Sequence, residues 1–493
     1  MNKQDRGIET LGRIGLCMVL ALGFASRSVA GDAVASQAVS SWVTTADHSL
    51  ALSPADPTTF GSRSRLPIHI EVDGTRHQRM VGFGAALTDS SAWLITHRLS
   101  ATQRDALLQE LFGREGQGIG LDFTRLTIGS SDFSLSHYSL DDMPRGQTDP
   151  ELRHFSIAPN RGDVIPVARA ALAINPQLKV MASPWSAPGW MKTSGSLVKG
   201  TLADAHFDAF ARYLVQYTEA YADAGIPIFA LTVQNEPDYE PADYPGMRLS
   251  AAQRARLIGR HLGPMLAARG SSTLIFDWDH NWDKPEHPLE VLRDPVASRY
   301  VAAVAWHCYG GDVTAQSKVH DAFPDKDAYL TECSGGDWEP VKSGGLTFLA
   351  REQIIRTSRH WARGALLWNL ALDERKGPFA GGCKTCRGVV TINSADGSIT
   401  RNDEYYALAH ASRFVRQGAW RVGSSAGGEG IDNVVFENAD DGSLVMLVTN
   451  AEPAPRRFSV GHRGKVFHYT APPRSLITLT WAGSPPSAGP GGR

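Results

Sequence analysis

The chain is short of several things, and each shortage excludes something. Its 5 cysteines in 493 residues are too few for a disulfide-built scaffold, and there is no second cysteine pair at metal-ligand spacing. Lys and Arg total 49 against 51 Asp and Glu, a net charge of −2. Neither nucleic acid nor an anionic membrane is then the expected partner, since both call for a basic patch. The apolar run Ile14 to Ala25 is too short to span a bilayer comfortably, so no transmembrane segment is expected in the mature chain. No internal repeat is visible. With 42% hydrophobic and 20% charged residues, the composition is that of an ordinary globular protein. The length suits one large domain with an accessory one.

That apolar run, preceded by Lys3, Arg6 and Arg13 and followed by the small residues Ser28-Val29-Ala30, has the layout of an export signal over residues 1–30. The mature chain is expected to begin near Gly31 and to be secreted or periplasmic. Cys17 leaves with the signal. Cys383 and Cys386 sit in the Gly-rich stretch Gly381 to Cys386, where an exported chain would form a local disulfide; a metal site would need another pair. Cys308 and Cys333 fall near the ends of two predicted strands and read as small buried thiols.

From Met80 onward, strands alternate with helices, the pattern of a parallel sheet. Eight strands are predicted: Met80 to Thr88, Phe123 to Gly129, Lys179 to Trp185, Phe229 to Glu236, Thr273 to Asp279, Ala303 to Tyr309, Ala328 to Cys333 and Ala365 to Leu370. Eight is the number that closes a (β/α)8 TIM barrel, expected here over residues 80–417. Ser100 with Gln103 and Ser250 with Gln253 have capping-box spacing. Phe207, Phe210, Leu214, Tyr217 and Tyr221 line one face of a helix and are expected to pack onto the barrel. Long strand-to-helix loops, Ser130 to Arg161 and Asp373 to Thr400, would wall a cleft. Ser41 to Thr45 and Ile68 to Val72, separated by a Pro/Ser-rich loop, alternate like strands within residues 31–79. Five more strands are predicted over residues 418–481. Together these would form an accessory β-sandwich built from both ends of the chain. Residues 482–493, rich in Gly, Pro and Ser, read as a disordered tail.

The chemistry is concentrated at two strand ends. Leu231-Thr232-Val233-Gln234-Asn235-Glu236-Pro237 is a strand running into an Asn-Glu pair, and Tyr329-Leu330-Thr331-Glu332-Cys333 is a second strand ending in Glu. Barrel strands converge at their C-terminal ends, so Glu236 and Glu332 would face each other across the mouth. Two such carboxyls about 5 Å apart suit a retaining glycosidase, in which one protonates the leaving oxygen and the other attacks the anomeric carbon. The 12 Trp supply indole faces on which sugar rings stack, although most are expected to be core.

At this point the chain resembles glycoside hydrolase family 30, the retaining family of glucosylceramidases and β-1,6-glucanases. The resemblance rests on Gly82-Phe83-Gly84-Ala85-Ala86 with Thr88-Asp89, Arg125 with Ser131-Asp132-Phe133-Ser134, Ala182-Ser183-Pro184-Trp185, Gln234-Asn235-Glu236-Pro237, His307-Cys308-Tyr309, Thr331-Glu332-Cys333 and Trp368-Asn369-Leu370-Ala371-Leu372. Each motif is weak alone; their order on successive strands is specific. The resemblance implies Glu236 as acid/base and Glu332 as nucleophile. It implies Asn235 as donor to the sugar 2-OH, Asp132 and Trp185 as holders of the distal hydroxyls, and Trp368 as lining the same subsite. Arg125, His307 and Tyr309 match groups around the nucleophile. Arg125 and Tyr309 are expected to lower the pKa of Glu332, and Glu236 must stay protonated.

The implied activity is hydrolysis of β-glucosidic bonds in a glycan or a glycolipid, by double displacement and with no metal or organic cofactor. The alternatives are a β-xylosidase or other exo-β-glycosidase of the same family, and a non-catalytic carbohydrate-binding protein. The short motifs read only the shared glucosyl subsite, so aglycone, linkage and endo or exo action stay open.

Overall fold

The computed structural model describes residues 37–338 and 345–483. The expected export signal, and the tail from residue 484 onward, lie outside the described residues.

Three N-terminal strands, β1 (Ala38–Thr45), β2 (Ser53–Thr59) and β3 (His69–Arg79), precede the barrel. Its eight strands are β4 (Gly82–Ala86), β5 (Phe123–Ile128), β6 (Lys179–Pro184), β7 (Ile228–Thr232), β8 (Leu274–Asn281), β9 (Val301–His307), β10 (Asp327–Glu332) and β11 (Ala362–Asn369). They pair in parallel and close as β4 to β11 in chain order, with β11 returning to β4. All eight predicted strands are therefore present, and the fold is a TIM barrel with an accessory β-sandwich. Both predicted capping boxes form: Ser100 and Ser250 each accept from the backbone of the glutamine three residues on, whose side chain reaches back. The helix Phe207–Asp223 buries Phe207, Phe210, Leu214, Tyr217 and Tyr221, as its periodicity predicts.

Three boundaries differ from expectation. β7 ends at Thr232, four residues before Glu236. The irregular stretch that follows still bonds to both neighbours, Asn235 N donating to Pro184 O (2.8 Å) and Glu236 N to Asp279 O (3.0 Å). The Pro-rich stretch read as a loop contains β2, which among the described residues is an edge strand paired with β1 alone; an edge tolerates Pro54 and Pro57 because their missing N–H groups can face away from the ladder. Across the second long loop and its two edges, β12 (Ala371–Asp373), β13 (Val390–Ile392) and β14 (Ile399–Arg401) form a small sheet.

The sandwich adds β15 (Trp420–Ser424), β16 (Ile431–Glu437), β17 (Leu444–Asn450), β18 (Arg456–His462), β19 (Lys465–Ala471) and β20 (Ser475–Trp481). With β1 to β3 they make one nine-stranded sheet in which the N-terminal strands are interleaved: β3 lies between β18 and β15, and β1 pairs with β20. The sandwich is not insulated from the barrel. Val434, Phe436, Val445, Leu447 and Leu476 belong to the same apolar core as the barrel's outer face. Buried His410, on the helix Asp403–Ser412, bonds to Thr44 Oγ1 (2.9 Å) and Thr478 Oγ1 (2.8 Å).

Candidate active site

Inside the barrel, Arg125 of β5 is fully buried and is the hub of the site. Its guanidinium donates to Glu332 Oε2 (2.5 Å), Asn235 Oδ1 (2.8 Å), Asp279 Oδ2 (2.7 Å) and Ser183 Oγ (3.2 Å). The other oxygen of Glu332 accepts from Tyr309 Oη at 2.9 Å. Glu236 sits across from this group with a different partner, His307 Nδ1 at 3.1 Å, and the second nitrogen of His307 meets Asp279 Oδ1 at 3.0 Å. Glu236 adopts φ 46°, in the sparsely populated left-handed region that non-glycine residues seldom occupy and that is frequent at functional sites.

Asp279 ties the two halves together and was not singled out from the sequence. It accepts from Arg125 and His307, and also from Thr331 Oγ1 (2.6 Å), Thr232 Oγ1 (2.7 Å) and Ser183 Oγ (2.8 Å). It reaches the interior through an irregularity: Trp278 and Asp279 have φ 78° and 55°, and the β8–β9 register shifts between Trp278 and His280. Burial would raise its pKa, but the charge of Arg125 and the bonds from His307 and Thr331 hold it well below the carboxylate range.

The same network sets the other protons. Burial pulls His307 down, yet the charge of Glu332 and the bonds to Asp279 and Glu236 carry it up to about 9, so it is a cation at neutral pH. Burial also raises Glu236, but His307 overcomes this by hydrogen bond and charge, and Glu236 is lowered. Glu332 is raised: burial outweighs the pull of His307 and Arg125, and the charge of Glu236 adds to it. Both directions are opposite to the expectation from sequence. The reason is that His307 gives its hydrogen bond to Glu236 and not to Glu332, where burial dominates.

Next to the carboxyls lies an aromatic wall. Trp185 and Trp368 stack at 5.0 Å, with the Arg125 guanidinium 4.8 Å from the Trp185 ring centre. Asp132 is buried next in the chain to Phe133, whose ring meets Trp368, and its pKa is raised well above normal by burial and by the charge of Glu332. A loop holds it in place: Ala380 N donates to Asp132 O at 2.7 Å, and a Cβ on Gly382 would come within 2.5 Å of Asp132 Cβ. Cys383 and Cys386 are disulfide-bonded within this loop. Cys308 and Cys333, read from sequence as free thiols, are also bonded to each other. They follow β9 and β10 directly, neighbouring strands whose ends bring the two Cα atoms to 5.4 Å, within bridging range.

All nine predicted site residues thus fall within one region. Glu332, Arg125, Asn235, Tyr309, His307 and Glu236 belong to one hydrogen-bond network, and Trp185, Trp368 and Asp132 flank it. Such a site can offer a proton at one carboxyl and an attacking oxygen at another, over an aromatic platform of the kind that accepts a sugar ring.

Comparison with known proteins agrees with this geometry. The model for the glycosyl hydrolase family 30 TIM-barrel domain matches residues 80–415, and that for the family's β-sandwich domain matches residues 418–479. The chain is 36% identical to the endo-1,6-beta-D-glucanase of Neurospora crassa over 80% of this chain and 83% of that one. It is 30% identical to a Caenorhabditis elegans protein assigned as a glucosylceramidase, over 86% and 85%. The solved structure of the endo-beta1,6-glucanase BT3312 superimposes with TM-score 0.82 at 31% identity, covering 90% of this chain and all of that one.

Proposed function

The chain belongs to glycosyl hydrolase family 30 and is a glycoside hydrolase, and on that premise we propose that it is an exported, retaining endo-β-1,6-glucanase. The observation that carries the mechanism is the opposed environment of the two carboxyls. Glu332 is gripped at both oxygens by Arg125 and Tyr309, whereas Glu236 faces the His307 cation. The grip aims one lone pair of Glu332 at the anomeric carbon, and the Arg125 charge offsets part of the burial that disfavours its anion. When that charge is consumed in the glucosyl ester, Arg125 is still neutralised by Asp279, so the cation does not oppose bond formation.

Glu236 serves as acid and then as base. In the free enzyme its proton waits one hydrogen bond away on His307. Entry of the sugar removes water from Glu236, which raises its affinity for that proton as the leaving oxygen comes within reach. Deglycosylation returns the proton by the same route. Asn235, held by Arg125, donates to the 2-OH, and the Trp185–Trp368 wall with Asp132 receives the rest of the glucosyl ring. Similarity to endo-1,6-beta-D-glucanases at 36% identity supports the linkage, and the export signal read in residues 1–30 supports action outside the cytoplasm.

The test is the product profile on linear β-1,6-glucan, with glucosylceramide assayed in parallel and the anomer of the new reducing end read by NMR. A ladder of oligosaccharides appearing first as the β-anomer is expected, with Glu332→Gln slower by at least about 10⁴-fold. Release of glucose from the glycolipid without cleavage of the glucan would replace the substrate assignment. An α-anomer as first product would overturn the retaining mechanism.

A further inference from the structure

We propose that Glu236, His280 and His307 form a binding site for a divalent transition ion of the zinc class, and that the ion reversibly shuts the active site. One ligand atom from each residue lies within 4.8 Å of the others. Glu236 Oε1 is 3.1 Å from His307 Nδ1 and 3.7 Å from His280 Nδ1. Zinc bonds of about 2.0–2.1 Å in a tetrahedron place neighbouring ligand atoms about 3.3 Å apart, so two edges are close to the required length and the third closes by a small ring rotation.

Two further observations point to an ion. His280 Nδ1 is buried without a hydrogen-bond partner among the described residues, an expensive state for a ring nitrogen that coordination would relieve. His307 meets Asp279 Oδ1 through the nitrogen that faces away from Glu236, and a carboxylate on the far nitrogen is the arrangement that orients metal-binding histidines. The charges of Asp238 and Asp283 also act at His280 and add negative potential. The irregularity in β8 that turns Asp279 inward carries His280 with it to this wall.

A His2Glu set leaves one position for water, and the set coincides with the machinery proposed above. Binding replaces the proton held between His307 and Glu236, which leaves to solvent as the ion enters, and Glu236 loses its role as acid. The ion is an inhibitor here; no step of hydrolysis passes through it. Its effect on rate rests on the proposed function, whereas its binding rests on the geometry alone.

The experiment titrates the full-length protein with Co²⁺ as a spectroscopic stand-in and measures hydrolysis under Zn²⁺. Expected are an intense visible band of tetrahedral type that saturates at one equivalent and is abolished by Zn²⁺, inhibition reversed by EDTA, and at least a ten-fold rise in the inhibiting Zn²⁺ concentration in His280→Gln. Only a weak octahedral-type spectrum, or equal Zn²⁺ sensitivity in wild type and variant, would overturn the proposal. The wild-type spectrum decides the matter if the variant does not fold. A saturating band in a protein that cleaves neither glucan nor glycolipid would leave the ion site standing and remove the proposed function.

Discussion

The two ends of the barrel interior are built from the same strands and are chemically opposite. Its lower part is an apolar plug of Val81, Phe123, Met181, Ala230, Phe276, Ala303, Ala305, Tyr329 and Leu366. Two residues further along five of these strands stand Arg125, Ser183, Thr232, His307 and Thr331, all buried and all in the site's hydrogen-bond network. A period of two returns each strand to the interior, so the switch from oil to ions takes one pleat. The plug gives the polar layer a dry, rigid floor, and the ion pairs above it keep their strength because the plug keeps water out from below.

Breaking the polar layer is expected to have the largest effect. In Asp279→Asn the carboxylate shared by Arg125 and His307 is gone, which leaves Glu332 to balance the Arg125 charge. The expected result is a loss of about 10²-fold or more in kcat together with roughly 3 kcal/mol of stability, read by steady-state kinetics and thermal unfolding. In the plug, Phe276→Leu removes one ring from its 4.6 Å stack on Tyr329. It should lose about 1 kcal/mol and leave kcat within about two-fold. Equal damage to kcat from both changes would mean that plug and site are one mechanical unit, not a floor and a machine.

Proton linkage sharpens the same contrast, because the one titratable residue of the plug, Tyr329, is pushed up by burial and keeps its proton throughout the neutral range. His307 is raised to about 9 from an ordinary value of 6.5. Its contribution to stability is therefore complete below about pH 6.5 and is lost as pH rises through about 9, on the order of 3 kcal/mol in all. Asp279 is shifted the other way, so its contribution is present above the ordinary carboxylate range and is lost only in strong acid. Unfolding temperatures should hold a plateau near pH 6 and decline toward pH 9, and His307→Gln should lack that alkaline decline. The same decline in the variant would assign it to other groups.

What could be read from the sequence follows this division. Strand number, both capping boxes and the buried face of Phe207–Asp223 obey local periodicity, and periodicity is visible in one dimension. Glu332 announces itself by ending a strand, and Glu236 by following one within four residues, each beside turn-formers. Asp279 does not: it lies three residues after the plug residue Phe276, and a strict alternation turns it outward. Asp277, the residue that does face out, pairs with Arg254 on the helix Ala251–Arg256 at 2.7 Å. Only the left-handed backbone at Trp278 and Asp279 corrects the phase, and no residue type advertises it. β2 is hidden in the sequence for a related reason, since a one-sided edge strand needs neither alternation nor freedom from proline. The reversed proton preferences of Glu236 and Glu332 depend on which carboxyl His307 touches, a fact of three dimensions alone.

The smallest effect expected is also the most discriminating, since the two disulfides serve different parts of the site. Cys308–Cys333 joins the chain just past His307 and Glu332, the proton holder and the gripped carboxyl. Cys383–Cys386 closes the loop that seats Asp132, and bridges to the Glu332 loop through Gly336, with Arg387 N donating to Gly335 O at 2.9 Å. Replacing both cysteines of the first pair by serine should lower kcat several-fold, because it loosens the spacing of reacting groups. The same change in the second pair should raise KM by about three-fold or more and leave kcat nearly unchanged, because it loosens a wall that binds the sugar but takes no part in bond breaking. Parallel kinetics of the two double variants on one glucan would show the split. Should both variants change kcat alone, the Asp132 loop would have to be counted with the reacting groups, and the boundary between binding wall and proton network would move to include it.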